Sequence, residues 1–453
     1  MKFTKFGKAL LMSALSAGVI LSVTSCVQSY TVGYLYVTGT VTSQSGDNGI
    51  ISGFRIDHNT GKLTSINGLP ISSGGSNPGR AVLLTGSKFL YVLNRGVNAQ
   101  GGSTCTTANP CLNSNIELFA VGGNGILTSQ QTFSTQGVNP FRILSDTSGN
   151  YLYVLDHDAP DSNAYTGKNL TTNSCTAALG GTATSCGDIT AFSVNQTTGR
   201  LQLIVNAQIT SASGTGLSYF PVPANPIDLL FASNYFITLS GTPTTGDSVF
   251  PYAYSPNTGQ LTVSQNSSQT LNIKQGTAIV SGGGSVYVLD NEPITIPSGG
   301  TFTAGTYSSQ ILPFSVGTGG SLQAQTGGIV PDDATFSNPI NVLVESKGRW
   351  LYVVNQGNNT NTTNAQSGIA GYVINSPYAL SFIAGEPFGS GAGPQCMVED
   401  PSSQFVYEAD AYDNSVYGRV VDPNSGVLNN LRVGNTFSLP GPAAWCLVDG
   451  RTD

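Results

Sequence analysis

Two short signatures alternate seven times along this chain, and a repeat of that kind restricts the fold more than any other property of the sequence. The first is a bulky residue, an aromatic and Val, closed by Asn or Asp. It stands as Leu35-Tyr36-Val37, Leu90-Tyr91-Val92-Leu93-Asn94, Leu152-Tyr153-Val154-Leu155-Asp156, Val286-Tyr287-Val288-Leu289-Asp290 and Leu351-Tyr352-Val353-Val354-Asn355. Tyr235-Phe236-Ile237 is a degenerate copy and Val406-Tyr407-Glu408 a weaker one. After each copy comes the second signature, a turn such as Thr60-Gly61-Lys62-Leu63, Thr198-Gly199-Arg200-Leu201 or Ser425-Gly426-Val427-Leu428. Tyr36 and Tyr407 are six intervals apart, so one unit is about 62 residues, a period that marks a repeat architecture.

Each unit reads as four short antiparallel strands. A Pro-led step (Asn77-Pro78, Asn139-Pro140, Asn225-Pro226, Asn338-Pro339, Gly393-Pro394) opens a first apolar run, and the Tyr-Val strand follows as its hairpin partner. A third strand alternates in polarity, as in Ile189-Thr190-Ala191-Phe192-Ser193-Val194. The Gly turn then reverses the chain into a fourth. One such sheet cannot bury both faces alone, but seven arranged radially bury them against one another. The fold expected is therefore all-β, a seven-bladed β-propeller with four-stranded blades. The first Tyr-Val strand has no first strand before it, while Ala443 to Val448 is a first strand with no unit after it. Joined, they complete one blade from both ends and close the ring. An open solenoid would want capping repeats, which are not seen.

Composition agrees. Only 9% of residues are charged and 56 are Gly, against the charged outer faces that helices need. A formal charge of −7 argues against a nucleic-acid partner.

Lys2, Lys5 and Lys8 precede the apolar stretch Ala9 to Val23, the pattern of a signal peptide and too short for a membrane span. The stretch ends in Val23-Thr24-Ser25-Cys26, which resembles the bacterial lipobox. That resemblance implies lipidation of Cys26, with 1–25 as signal peptide, 26–33 as tether and 34–453 as propeller. Val27 after the Cys implies sorting to the outer membrane, facing the periplasm or the surface. The lipid is expected to be the only membrane contact, and the protein to act as a monomer. Six further Cys suit an exported chain. Cys105 with Cys111, and Cys175 with Cys186, bracket polar loops and are expected to be bridged; Cys396 and Cys446 stand as either a third bridge or two buried thiols. Two His in the whole chain and no tight Cys spacing exclude a zinc site.

The Leu-Tyr-Val-x-Asn strand, the Pro-led steps and the Thr-Gly-x-Leu turns together resemble the bacterial seven-bladed lactonase-type propellers, relatives of the propeller 6-phosphogluconolactonases, over roughly residues 30 to 450. The resemblance implies lactone hydrolysis. It also implies a Pro-Arg-His step at a first strand, where this chain reads Pro78-Gly79-Arg80, Pro140-Phe141-Arg142, Pro226-Ile227-Asp228 and Pro339-Ile340-Asn341. An Asn-Glu after a Tyr-Val strand survives as Asp290-Asn291-Glu292.

The long insertions all leave the second strand, so one face of the ring carries elaborated loops, where binding groups collect. The first-strand position two after Pro should border the central channel on that face. It holds Arg80, Arg142, Asp228 and Asn341, and the two Arg are suited either to gripping a carboxylate or phosphate or to pairing with acids of adjacent blades. Hydrolysis needs a base and an oxyanion holder. His157 as base, Glu292 as acid–base partner and Arg142 as holder are the catalytic candidates; Arg80, Asp228, Asn341, Asp156 and Asp290 are the ligand-binding candidates. No cofactor is expected; the Asp-rich rim at Asp156 and Asp158 suits at most a divalent cation such as Ca²⁺. Two functions follow: an envelope hydrolase of a small lactone or ring ester, or a non-catalytic propeller that binds a glycan, peptide or protein partner.

Overall fold

A computed structural model describes residues 30–450 apart from 42–47, 85, 87, 161–173, 182, 212–213, 265–267, 326–329, 358–365 and 376–378. The expected signal peptide and Cys26 lie outside the described residues, as does part of the loop bracketed by Cys175 and Cys186. The repeats become seven antiparallel sheets of four or five strands, joined by one accessory hairpin, Ile294–Ile296 with Gly305–Tyr307. The first strands of six blades are Pro78–Leu83, Val138–Ser145, Pro226–Ala232, Gly276–Gly282, Pro339–Val344 and Pro394–Glu399, and these gather around the axis. In five blades the outer strand is broken into two short pieces, as with Leu201–Leu203 and Phe220–Pro223, where the sequence reading expected one.

The seventh first strand is Ala443–Asp449, and it closes the ring. It pairs antiparallel with Thr31–Thr40 in a register that sets Leu447 opposite Tyr36 and Cys446 opposite Val37. The two chain ends therefore form blade one together. A disulfide between Cys396 and Cys446 then ties the first strand of blade seven to that of blade one. The expected bridges Cys105–Cys111 and Cys175–Cys186 are also present.

Tyr-Val strands are buried on both faces because each lies between two sheets. Phe405–Asp410 and Trp350–Asn355 are buried at every position. The apolar clusters accordingly straddle blade boundaries: Tyr91 and Leu93 of blade two pack with Leu152, Val154 and Phe192 of blade three. Burying apolar area in this way stabilises by about 25 cal/mol per Å².

The two recurring signatures meet in one hydrogen bond. Tyr36 Oη donates to the Gly125 carbonyl at 2.8 Å, Tyr153 to Gly259 at 2.9 Å, Tyr352 to Gly426 at 2.7 Å and Tyr407 to Gly61 at 2.7 Å, and Tyr91 donates to Gly199. Every donor lies one blade before its acceptor. The turn Gly has a positive φ, 71° at Gly199, and a Cβ there would fall 2.7 Å from the Phe89 ring. Blade four has Phe236 in place of Tyr and so lacks the donor; Ser264 Oγ reaches the Gly319 carbonyl at 2.6 Å instead.

Candidate functional site

The Pro-led step has a precise backbone role. Asn77, Asn139, Asn225 and Asn338 adopt φ of 51–58°, with Gly393 at 70° in the equivalent place. Asn tolerates this left-handed conformation better than most residues. Immediately afterwards the pairing register of each first strand slips: between Pro78 and Ala81, Pro226 and Asp228, Gly276 and Ala278, Pro339 and Asn341, Pro394 and Cys396, and opposite the Leu155/Asp156 and Thr38/Gly39 steps. A bulge bends the strand and redirects a side chain. Here Gly79, Phe141, Ile340, Gln395 and Ala444 are turned toward the axis, where they line a cavity of about 460 Å³ at the channel mouth. That volume lies in the range of small-molecule sites.

Charge concentrates at this mouth. Arg80 and Arg142 line the cavity, and both reach Asp228. Arg142 Nε lies 2.9 Å from Asp228 Oδ1, and Arg80 Nη1 lies 3.4 Å from the same oxygen. Asp228 is fully buried, and its carboxylate also accepts the Ile279 N–H at 3.1 Å. Blades two, three, four and five are thus joined at one carboxylate. The Arg80 guanidinium stacks over Trp445 at 4.5 Å and that of Arg142 over Phe141 at 5.3 Å. Burial, then repulsion from Arg142, push the Arg80 pKa down to about 10, against the opposing pull of Asp228. It remains a cation at neutral pH.

A second cavity, of about 600 Å³, opens further along the inner strands and shares Arg80 and Trp445 with the first. Asn341 lines this second cavity and is absent from the mouth, because the bulge at Ile340 turns its neighbour away.

The other expected residues fall elsewhere. His157 does not line the mouth. Its Nδ1 lies 3.1 Å from Asp158 Oδ2, and its ring is tilted against Phe141 with centroids 6.3 Å apart. Asp158 in turn accepts Thr107 Oγ1 at 3.0 Å, from the loop stapled by Cys105–Cys111, and Asn139 Nδ2 at 3.3 Å. Glu292 accepts the Lys274 N–H at 2.8 Å and is likewise absent from the lining. Of the three catalytic candidates, only Arg142 reaches the cavity.

Asp156 and Asp290 are corrected from ligand groups to internal braces. Both are fully buried. Asp156 accepts the Gly137 N–H and Thr190 Oγ1, the latter at 3.0 Å. Asp290 accepts the Gln275 N–H at 3.1 Å and Gln310 Nε2 at 2.6 Å. Each clasps the loop leading into its own blade. Burial raises the pKa of both carboxyls. Among the described residues no group of three or more His, Cys, Asp or Glu is placed to hold a metal ion.

Arg95 was not singled out by the sequence reading. It directly follows the Tyr-Val strand of blade two and lines the mouth beside Arg80 and Arg142. A cation straight after a second strand, in a chain with 17 basic residues, was the available signal.

A family of lactonases described as seven-bladed β-propellers matches residues 33–171 of the sequence. Similarity of the whole fold extends much further than that segment. The periplasmic gluconolactonase of Pseudomonas aeruginosa superposes with a TM-score of 0.60 at 15% identity, covering 92% of this chain and 99% of its own. This chain is a seven-bladed propeller with the fold of these proteins, and its residues 33–171 match the lactonase family. A Bacteroides fragilis protein provisionally named a 6-phosphogluconolactonase gives the same TM-score and identity, covering 92% of this chain and 98% of its own. A Lactobacillus plantarum protein gives 0.57 at 15% identity, with 93% and 99% covered. At these identities the structural likeness is one of fold. No curated protein matches this propeller in sequence.

Proposed function

We propose that this propeller is an extracytoplasmic, lipid-anchored hydrolase that opens a small lactone at the channel mouth. The observation that supports the reading is the convergence of Arg80 and Arg142 on one cavity with Asp228 fixed behind them. Water adds to the lactone carbonyl, negative charge develops on its oxygen, and the ring C–O bond then breaks to give a hydroxy acid. Guanidinium N–H groups held in place by Asp228 and by the Trp445 and Phe141 rings suit the stabilisation of that oxyanion, with little reorganisation during the reaction. Three disulfides fit an oxidising compartment. Residues 1–25 as signal peptide, lipidated Cys26 with a tether to residue 33, and a propeller over 34–453 complete the proposed organisation.

One observation favours the second reading, a propeller that binds without catalysis: no carboxylate and no imidazole is among the residues lining the mouth. In the hydrolytic reading the attacking water is therefore activated by solvent hydroxide. Titrating a panel of γ- and δ-lactones at constant pH separates the two. The hydrolase opens at least one lactone well above the buffer rate; a panel opened no faster than in buffer removes the hydrolytic reading and leaves the binder.

A further inference from the structure

The charges at the channel mouth do not balance. Arg80 and Arg142 share the single carboxylate of Asp228, while Arg95 adds a third guanidinium to the same lining. Its side chain crosses Gly79, where an added Cβ would lie 3.5 Å from Arg95 Cδ. Its Nε is buried and has no hydrogen-bond partner among the described residues. Burial, followed by the charge of Arg142, lowers the Arg95 pKa. The remaining lining residues are uncharged. A partly desolvated cation with no counter-charge is costly, and an anionic ligand relieves that cost.

The rest of the lining narrows the ligand. Gln356 keeps its amide N–H groups after its Oε1 accepts from Asn338, Gln395 and Asn77 keep their amide oxygens after donating to the Gly393 and Gly96 carbonyls, and Ser103 and Thr40 add hydroxyls. This pairing capacity matches a ligand rich in hydroxyl groups, and the Phe141 and Trp445 rings give it apolar surface to lie against. Arg142 spends its Nε on Asp228 and its Nη1 on the Phe141 carbonyl, and both Nη groups of Arg80 face Asp228, so among the described residues Arg95 presents the uncommitted fork. Such a planar fork pairs bidentately with a carboxylate.

We propose that Arg95 is the specificity-determining residue of the channel mouth, and that the ligand is a polyhydroxylated compound that keeps a free carboxylate for Arg95, a uronic acid or the lactone of a sugar diacid. This rests on the hydrolytic reading only for the step of turnover; binding is independent of it.

Calorimetric titration of the propeller with D-glucuronate, D-glucose and inorganic phosphate tests the assignment, alongside Arg95→Gln and Arg95→Lys. Glucuronate is expected to bind at least about tenfold more tightly than glucose or phosphate, and Arg95→Gln to abolish that preference while Arg95→Lys retains part of it, as expected for a charge-assisted contact. Far-UV circular dichroism and melting temperature of Arg95→Gln should match those of the wild type. Equal binding of glucose and glucuronate, tighter binding of phosphate, or unchanged glucuronate affinity in a folded Arg95→Gln overturns the proposal. Turnover separates its failure from that of the hydrolytic reading. D-glucono-1,5-lactone opened as fast as the carboxylate-bearing D-glucaro-1,4-lactone defeats the carboxylate assignment and keeps the hydrolase. Tight glucuronate binding with neither lactone opened defeats the hydrolase and keeps the carboxylate assignment.

Discussion

Arg142 Nε donates to Asp228 Oδ1 across 2.9 Å, joining the first strand of blade three to that of blade four beneath the channel mouth. Because Asp228 is fully buried and Arg80 binds it from blade two, this carboxylate sets the position of both guanidinium groups.

Replacing Asp228 by Asn is expected to destabilise the fold by about 3–5 kcal/mol, the usual cost of leaving a buried charge without its partner. Chemical denaturation measures it. A change below about 1 kcal/mol would mean that the two Arg are balanced by other groups.

The Tyr-to-turn hydrogen bonds lock five of the blades to their successors. Tyr153→Phe leaves the Gly259 carbonyl without its donor in a buried position and is expected to cost about 1–3 kcal/mol. The same loss in thermal stability is expected for Tyr352→Phe, whose acceptor is the Gly426 carbonyl. A neutral outcome in both would deny these bonds any part in holding neighbouring blades.

These bonds also explain why so much of the fold was legible. The Tyr of one signature and the Gly of the other are the two ends of a single contact, so their equal count and fixed order already described a closed ring. The orphan strand at Ala443 to Val448 showed where the seam lies. The site was less legible, because it depends on direction within a strand. Counting two residues from the Pro found Arg80, Arg142 and Asp228, yet at Asn341 the bulge sends the side chain to the other cavity. Asp156 and Asp290 end their strands at the correct rim, but the loop leading into the blade folds over them and hydrogen-bonds to them. Arg95 was missed because it lies in the loop after the strand, outside the register that was counted.

Several buried carboxyls favour an acidic optimum of stability. Burial raises Asp332 to about 6 and Glu386 to about 7, and raises Asp156 and Glu408 as well. A carboxyl whose folded pKa exceeds its unfolded value contributes stability that is complete below the unfolded value and is lost as pH rises through the folded one. Melting temperature should therefore fall between pH 5 and pH 8, an interval set by Asp332 and Glu386. A scanning calorimetry series in which it rises across that interval would contradict this account of the buried acids.

The Cys396–Cys446 bridge closes a sequence separation of 50 residues. Chain-entropy reasoning assigns such a loop about 4 kcal/mol. Replacing both Cys by Ala should lower the denaturation midpoint by a corresponding amount while the blade-one pairing still closes the ring. Unchanged stability would show that the strand pairing alone suffices.

The most direct measurement compares initial rates of lactone opening by the wild type, Arg142→Gln and His157→Ala. With the channel mouth as the active site, Arg142→Gln should lose about 10²–10³ in kcat, the usual effect of removing an oxyanion donor, and His157→Ala should stay near the wild type. A His157→Ala variant that loses turnover while Arg142→Gln keeps it would move the chemistry away from the arginine cavity.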